Sequence, residues 1–356
     1  MKLSKKQRIC FCGALLSLAV FGGLTAVSAH ISHLHEAQNA AARWQAGGDV
    51  PYTQMSAFLT EDAYMTQDGL QSIRESVDAS MRSASLEKSA ENARLWYDAY
   101  SAPAGMVTAS GTKRYSAQAQ VTAVGGDFFL LHAPLLLSGS YLQESDLMQD
   151  RVVLDETLAW HLFGSPDVEG MLVTIGQRTY PVAGVIAAED DYASERAYGE
   201  TARMYISFDL YEAWRAEMGS EARISCYEMV LPEPVRNYGK NAFVQAIGAE
   251  NNPTMKTVQN TGRSSLKTRW EHLRHLHDMV MVSDTLAYPY WENAARMVDF
   301  DLALLLAAQL LFLAYPVLTG LYLLWKGWKR LDTFLTAKRQ AYKNRFRSLV
   351  KSEGSD

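Results

Sequence analysis

The chain has 356 residues, of which 48% are hydrophobic and 21% charged, and its formal net charge is −5 at pH 7. This composition is ordinary for a globular protein, and the length is sufficient for two or three domains. Three cysteines do not make a disulfide framework, so the sequence does not indicate a fold stapled by disulfides.

Two uncharged apolar runs predict two membrane-spanning helices, at residues 9–29 and 302–325. Each run is long enough to cross a hydrocarbon core of about 30 Å. Basic residues precede the first run, and Lys326, Lys329 and Arg330 follow the second. Because basic flanks remain in the cytoplasm, we expect residues 1–8 and 326–356 inside and residues 30–301 outside. Residues 9–29 also fit a cleaved signal peptide, but the length of the run favours a retained helix.

The charge is distributed unevenly along the chain. The first eight residues carry four positive charges, and the tail from Lys326 carries nine positive and three negative charges. Removing these ten net positive charges from a total of −5 leaves −15 for the predicted extracytoplasmic part. That acidity argues against binding of nucleic acid or anionic lipid there, and is compatible with a cationic ligand, a basic partner or simply a soluble surface.

The segment between the first span and residue 100 reads as mainly helical. Residues 30–46 have the composition of a helical stalk, and residues 49–68 read as a loop. Leu70, Ile73, Val77 and Met81 form an apolar stripe at helical spacing. With Ser85 as a second N-cap, residues 69–100 favour a two-helix hairpin.

Residues 120–187 are the most clearly patterned part of the sequence. They predict a strand to Val124, a helix at 128–132 capped by Asp127, a turn at 138–140, a strand at 151–154, a helix at 156–163 capped by Asp155 and ended by Gly164, and a hairpin of 171–175 with 179–186. A polar loop at 188–202 follows. The remaining elements are a strand at 204–208, a helix at 210–218 capped by Asp209, a strand at 224–231, a helix at 235–249 and an edge strand at 254–259.

This order of elements resembles the extracytoplasmic core domain of MacB/FtsX-type ABC-transporter permeases. The residues that carry the resemblance are Val121-Thr122-Ala123-Val124, Asp127-Phe128-Phe129, Leu137-Ser138-Gly139, Val152-Val153-Leu154, Ala159 to Gly164, Val168-Glu169-Gly170 and Val182 to Val185. The resemblance implies an α+β domain, and it gives no substrate. Permeases of this family usually have four transmembrane helices in each chain, whereas this sequence predicts two.

These observations predict an α+β protein with two membrane spans and a helical stalk. We divide the chain into an extracytoplasmic stalk at 30–100, a MacB-like core domain at 101–260 and a segment returning to the membrane at 261–301. The core domain divides further into a core lobe at 101–187 and an inserted subdomain at 188–260, because two runs of strands and helices follow each other.

No catalytic or cofactor-binding residues are predicted, since the sequence lacks a P-loop, a G-x-S-x-G and an H-E-x-x-H motif. Two histidine triplets share the spacing H-x-x-H-x-H, beginning at His30 and at His272. His30 with His33, and His272 with His275, are weak candidates for a metal site or a pH sensor, and chance clustering explains them more simply.

Two aromatic-rich segments have open interpretations. Tyr288, Tyr290 and Trp291 fit either an interfacial belt or packing against the stalk. The basic tail at 326–356 fits either an anchor on anionic lipid or a docking helix for an ATPase or a partner permease.

We therefore predict a non-enzymatic permease-like subunit of the bacterial plasma membrane. It would bind no cofactor itself and would use ATP only through a separate ABC ATPase, together with a multi-span permease or a second copy of itself. The alternative is a bitopic extracytoplasmic binding protein, sensor or scaffold. The substrate, the direction of transport and the stoichiometry do not follow from the sequence.

Overall fold

The computed structural model of the chain describes residues 5–32, 39–45, 50–86, 94–111, 115–189, 191–199, 201–276, 282–283 and 286–352. The chain forms two compact units. One consists of Met1–Ile31 with Ala303–Asp356, and the other is Ser32–Leu302.

The elements of the described residues follow in chain order. The helices are α1 (Lys5–Ile31), α2 (Ala40–Gln45), α3 (Gln67–Ser83), α4 (Phe128–His132), α5 (Glu156–Phe163), α6 (Tyr192–Tyr198), α7 (Phe208–Glu217), α8 (Tyr238–Ala246), α9 (Leu266–Arg274) and α10 (Tyr290–Ser352). The strands are β1 (Tyr52–Leu59), β2 (Tyr97–Ser110), β3 (Ser116–Gly126), β4 (Leu136–Gly139), β5 (Val152–Asp155), β6 (Leu172–Ile175), β7 (Arg178–Ile186), β8 (Arg203–Ser207), β9 (Cys226–Pro232), β10 (Met255–Gln259), β11 (Val282–Ser283) and β12 (Leu286–Ala287).

The first unit contains α1 and most of α10. Each of these helices includes an apolar stretch long enough to cross a membrane, which confirms the helical prediction for residues 9–29 and 302–325. The two helices contact each other through the Ser17 hydroxyl, which donates to the carbonyl of Phe312 at 2.5 Å. Gly13 contributes to the same contact, because a Cβ there would lie only 3.0 Å from the Tyr315 hydroxyl oxygen.

The second unit is built on one ten-stranded sheet with the order β10-β1-β9-β2-β3-β8-β5-β7-β4, and β6 pairs with β2 and β7. The pairs β3 with β8 and β5 with β7 are parallel, and the other pairs in this sheet are antiparallel. A mixed sheet with helices confirms the α+β class.

Each face of this sheet carries its own apolar core. Helices α3, α5, α7 and α8 contribute to the larger core, which includes the predicted stripe of Leu70, Ile73, Val77 and Met81. Helices α2 and α4 and the first turn of α10 contribute to the second core, together with Phe58 and Tyr205 from the sheet. The second core therefore includes the start of α10.

The local signals in residues 120–187 are largely confirmed, although the Asp127 carboxylate binds Arg94 and makes no cap hydrogen bond to α4. The Asp155 carboxylate accepts a hydrogen bond from the backbone N–H of Leu158 at 2.7 Å and so caps α5. Gly164 ends α5 with φ +74°, a conformation that glycine adopts without strain. The hairpin of β6 and β7 pairs in the predicted place.

Five element predictions were wrong or incomplete. Residues 49–68 are not a loop, since they contain β1. The second helix of the hairpin proposed for 69–100 is contradicted at its end, where Tyr97–Tyr100 begin β2, and residues 87–93 lie outside the described part. The turn at 138–140 is partly the edge strand β4. The polar segment at 188–202 contains α6, and Ser207 rather than Asp209 caps α7.

The two predicted lobes share one sheet. Strand β8, from the segment assigned to the inserted subdomain, lies between β3 and β5 of the core lobe. The boundary between residues 187 and 188 therefore does not coincide with a break in the sheet, and the domain limits stay predictions.

Candidate functional site at the base of helix α10

The predicted histidine candidates do not form a site in the described residues. His30 is exposed at the end of α1, His272 is half-buried in the last turn of α9, and His275 is exposed at its C-cap. His33 lies outside the described residues, as do the third members of both triplets. In the part of the chain that the structure describes, no group of three or more His, Cys, Asp or Glu side chains is placed to hold a metal ion.

The structure instead brings together charged residues that the sequence analysis did not single out. Arg263, in the segment after β10, donates two hydrogen bonds to the Glu292 carboxylate, at 2.7 and 2.9 Å. Its Nε donates to Asp299 Oδ2 at 2.5 Å. Glu292 and Asp299 lie in the first three turns of α10, so one arginine binds two acids of the same helix.

This ion-paired group is buried, and burial and ion pairing act in opposite directions on the pKa values of Arg263 and Glu292. The side chains of Arg263, Glu292 and Asp299 are 11%, 2% and 7% exposed. Burial works against the charged form of Arg263, but the attraction of the two carboxylates is larger in sum and raises the pKa of Arg263. Burial also raises the pKa of Glu292, and Arg263 opposes that rise. Arg263 and Glu292 each favour the charged form of the other.

A chain of buried hydrogen bonds extends this group across the sheet. Arg263 Nη1 donates to Asn260 Oδ1 at 3.1 Å, and Asn260 Nδ2 donates to the Ser56 hydroxyl at 2.8 Å. The Ser56 hydroxyl in turn donates to Glu228 Oε1 at 2.7 Å. The other oxygen of Glu228 lies 2.7 Å from His132 Nε2. We call this series the polar relay; it connects α4, β9, β1 and the segment after β10 to α10.

An aromatic cluster lies on the same face and also includes the start of α10. The Trp291 ring lies 5.5 Å from Phe128 and 4.8 Å from the His132 imidazole, between ring centroids. Tyr288 packs edge-on against Phe58 at 5.1 Å. Tyr288 and Trp291 are buried. These two residues therefore pack into the domain core, which answers the question left open between an interfacial belt and packing.

Two tyrosines attach α10 to strand β8 and to helix α6. The Tyr290 hydroxyl lies 2.6 Å from the Tyr205 hydroxyl of β8, and the Arg203 guanidinium stacks 3.9 Å from the Tyr290 ring centroid. The Tyr192 hydroxyl of α6 donates to Asp301 Oδ2 at 2.9 Å. Burial and then this hydrogen bond raise the pKa of Tyr192, so the hydroxyl stays protonated and able to donate.

Together, the Arg263 group, the polar relay, the aromatic cluster and the two tyrosines form what we call the α10 joint. Its contacts fix α10 between Tyr290 and Leu302 to the sheet by directional and mostly buried interactions. Removing one partner of a buried ion pair typically costs about 3–5 kcal/mol, because the other charge is left without compensation. The joint therefore attaches the first turns of α10 firmly to the rest of this unit.

Sequence signals for this site were weak because its members are scattered. Asp299 and Asp301 flank the predicted span, and a charged residue that close to an apolar run indicates a specific partner. The partners themselves, Arg263 and Tyr192, lie 36 and 109 residues away in sequence. Only the fold brings them together.

Comparison with known proteins identifies a family that the chain matches and solved structures that it resembles. A family model described as the MacB-like periplasmic core domain matches residues 14–246, which is more than half of the chain. The periplasmic region of MacB from Actinobacillus actinomycetemcomitans is 14% identical, with a TM-score of 0.39, over 58% of this chain and 89% of that one. The extracellular domain of the noncanonic ABC-type transporter YknZ from Gram-positive bacteria is 13% identical, with a TM-score of 0.38, over 58% and 99%. A domain of a putative permease protein from Porphyromonas gingivalis is 12% identical, with a TM-score of 0.36, over 59% and 92%. No curated protein matches the chain.

Proposed function

We propose, since this chain belongs to the family of MacB-like periplasmic core domains of ABC-transporter permeases, that it is a transmission subunit without an ATPase of its own. In this proposal it couples a cytoplasmic ATPase or a partner permease to an extracytoplasmic substrate or partner. The observation that carries the proposal is the α10 joint, because α10 is also the helix that contains the second apolar span.

The continuity of α10 supports a mechanical role. Its backbone is helical from Tyr290 to Ser352 and continues through Pro316. A continuous helix resists axial stretching far better than a flexible linker does, because its backbone hydrogen bonds hold successive turns together. A shift of the apolar part of α10 therefore reaches the joint, where the Arg263 group and the polar relay pass it to β1 and β9.

The proposed orientation follows from the basic flanks of the two apolar helices. Both termini would be cytoplasmic and the sheet domain extracytoplasmic, in the plasma membrane of a bacterium. The tail of α10 supports contact with a cytoplasmic partner or with lipid head groups, since Lys329, Lys338 and Lys343 lie on a helix that is exposed as far as Lys343. Phe334 and Tyr342 add exposed aromatic surface to this segment.

Purification of the tagged full-length protein from its native membrane in gentle detergent tests this function. We expect an ABC ATPase and a multi-span permease to co-purify in a fixed ratio. A tail variant that replaces Lys338 and Lys343 by glutamate should lose these chains, and an Arg263→Gln variant should retain them, because Arg263 lies in the other compact unit. If the protein elutes alone, or only with copies of itself, the proposed coupling to an ATPase is contradicted.

A further inference from the structure

The loop between β4 and β5, residues 140–151, is held in one shape by its own side chains. The Gln149 amide donates to the carbonyls of Gln143, Glu144 and Asp146, at 3.2, 3.4 and 2.7 Å. Asp146 Oδ2 accepts hydrogen bonds from the backbone N–H of Gln143 at 3.1 Å and from Arg151 Nη2 at 2.7 Å. A loop with this much internal bonding presents a defined surface rather than a variable one.

The side chains exposed at the tip of this loop are apolar. Leu147 is fully exposed at its tip, and the neighbouring Met148 is 54% exposed. The first half of the loop, residues 141–145, lines a groove of about 680 Å³ together with α4, where Leu130 is 48% exposed. Single exposed apolar residues are common, but several of them beside a groove mark an interaction site.

The charges around this surface are predominantly negative. Asp127 and Asp146 are paired with Arg94 and Arg151, at 2.6 and 2.7 Å. The loop adds Glu144 and Asp150, and residues 141–150 include no lysine or arginine. Glu144 lies 3.5 Å from Arg74, which also binds the buried Asp98. Counting these arginines and the acids that they bind, the surface has five acids against three bases. A bound partner is favoured if it brings positive charge.

We propose that this surface, which we call the β4–β5 tip, docks an extracytoplasmic partner protein through an apolar segment flanked by lysine or arginine. The proposal rests on the proposed function and specifies the chemistry of the extracytoplasmic partner. A second copy of this chain fits less well, because a two-fold contact would place two negative surfaces against each other. Acidic residues also disfavour insertion of the tip among anionic lipid head groups.

Site-directed photo-crosslinking on the full-length protein in its native membrane tests the proposal. A photo-reactive phenylalanine analogue replaces Leu147 in one variant and Met218, which is 67% exposed after α7, in the control. We expect an adduct from position 147 and not from 218, mapped by mass spectrometry to a segment of an exported protein with lysine or arginine beside apolar residues. In a Ser145→Lys/Asp150→Lys background the yield should fall about fivefold to tenfold. The side chains of Ser145 and Asp150 do not take part in the hydrogen bonds that hold the loop.

Four results would overturn the proposal: no adduct at position 147, the same adduct at position 218, an adduct to lipid or to a second copy, or a yield that the two lysines leave unchanged. Thermal unfolding of each variant should match the parent protein, since Leu147 packs against nothing. Co-purification of the ATPase is measured on the same samples. Loss of the ATPase from the parent protein contradicts the coupling function, whereas loss of the adduct with the ATPase retained contradicts only the docking surface.

Discussion

At the scale of single residues, Arg263 is where we expect the largest loss of stability. Arg263→Gln leaves Glu292 and Asp299 buried together without a cation, and we expect the free energy of unfolding to fall by about 3–5 kcal/mol. Denaturant unfolding of the full-length protein in detergent, followed by tryptophan fluorescence, measures this change. The matched control is Arg178→Gln, which removes an exposed pair with Glu217 and should leave the free energy of unfolding nearly unchanged. Equal losses in the two variants would contradict the assignment of the joint.

Asp155 makes a second residue-scale prediction, which concerns pH. Burial raises the pKa of Asp155 to about 6 from its ordinary value of 3.8, although the backbone N–H groups of Leu158 and Arg203 oppose the rise. The folded protein therefore holds a proton on Asp155 between about pH 4 and pH 6 where the unfolded chain has lost it. By linkage, this group makes stability fall as the pH rises through that window, by at most about 3 kcal/mol, and adds no further change above it.

The substitution Asp155→Asn separates this effect from helix capping. Asparagine caps helices as well as aspartate does, so α5 keeps its N-cap, but the backbone N–H of Arg203, which donates to the second carboxylate oxygen at 2.7 Å, loses its acceptor. We expect the variant to be less stable than the parent protein by an amount that does not depend on pH, and its stability to change less than that of the parent between pH 4.5 and pH 7.5, in denaturant titrations at both values. Asp150→Asn, on the exposed loop, is the control for replacing one carboxylate by an amide. A parent protein with a flat profile from pH 4 to pH 6 would refute the role of Asp155.

At the scale of elements, the first turns of α10 should behave as part of the sheet. Ser56 in β1 receives a hydrogen bond from Asn260 and donates one to Glu228, so Ser56→Ala interrupts the polar relay in its middle. Buried polar groups that lose a partner cost about 1–3 kcal/mol. We expect backbone amides of residues 290–302 to exchange hydrogen faster in this variant, while amides of α5 remain unchanged. Ser220→Ala, at the end of α7, is the control, and faster exchange in α5 as well would indicate general loosening instead.

The elements that sequence patterns predicted are those with local signals. The α3 stripe, the Asp155 cap with Gly164, and the β6–β7 hairpin all depend on residues close in sequence. Strand β1 was missed because Thr53, Gln54 and Ser56 look solvent-exposed, yet all three are buried with hydrogen-bond partners from distant elements. Alternation of Met55, Ala57 and Leu59 on the other face was the signal that marked it as a strand.

Strand β2 was missed for a different reason. Pro103 and Gly105 normally interrupt a strand, and here the register against β3 shifts between them. A bulge of this kind allows proline within a central strand, since the partner strand adjusts locally. The contacts of the α10 joint could not be predicted from the sequence, because the contacting residues are brought together only once β1, β9 and β10 are placed in the sheet.

At the scale of the whole molecule, the α10 joint connects residues inside the family match to residues that follow it in the chain. The match ends at residue 246, before Asn260, Arg263 and the whole of α10. The polar relay connects this later part back to Ser56, Glu228 and His132, which lie inside the matched region. The family assignment thus accounts for the sheet domain, and the proposed transmission depends on how α10 is attached to it.

The last prediction concerns the orientation of the chain in the membrane. The three native cysteines can test it by their reaction with maleimide. Cys10 and Cys12 are exposed on α1, whereas Cys226 is buried in β9, and burial raises the pKa of its thiol well above the ordinary value. Thiols react with maleimide as thiolates, so Cys226 should stay unlabelled until the protein is denatured. In intact cells a membrane-impermeant maleimide should label neither Cys10 nor Cys12, and permeabilised cells should show labelling of this pair, which lies at the cytoplasmic end of the predicted span. A Leu147→Cys variant is the positive control and should be labelled from outside. Labelling of Cys10 in intact cells would reverse the orientation, and a mature protein without Cys10 and Cys12 would show that residues 9–29 are a cleaved signal peptide.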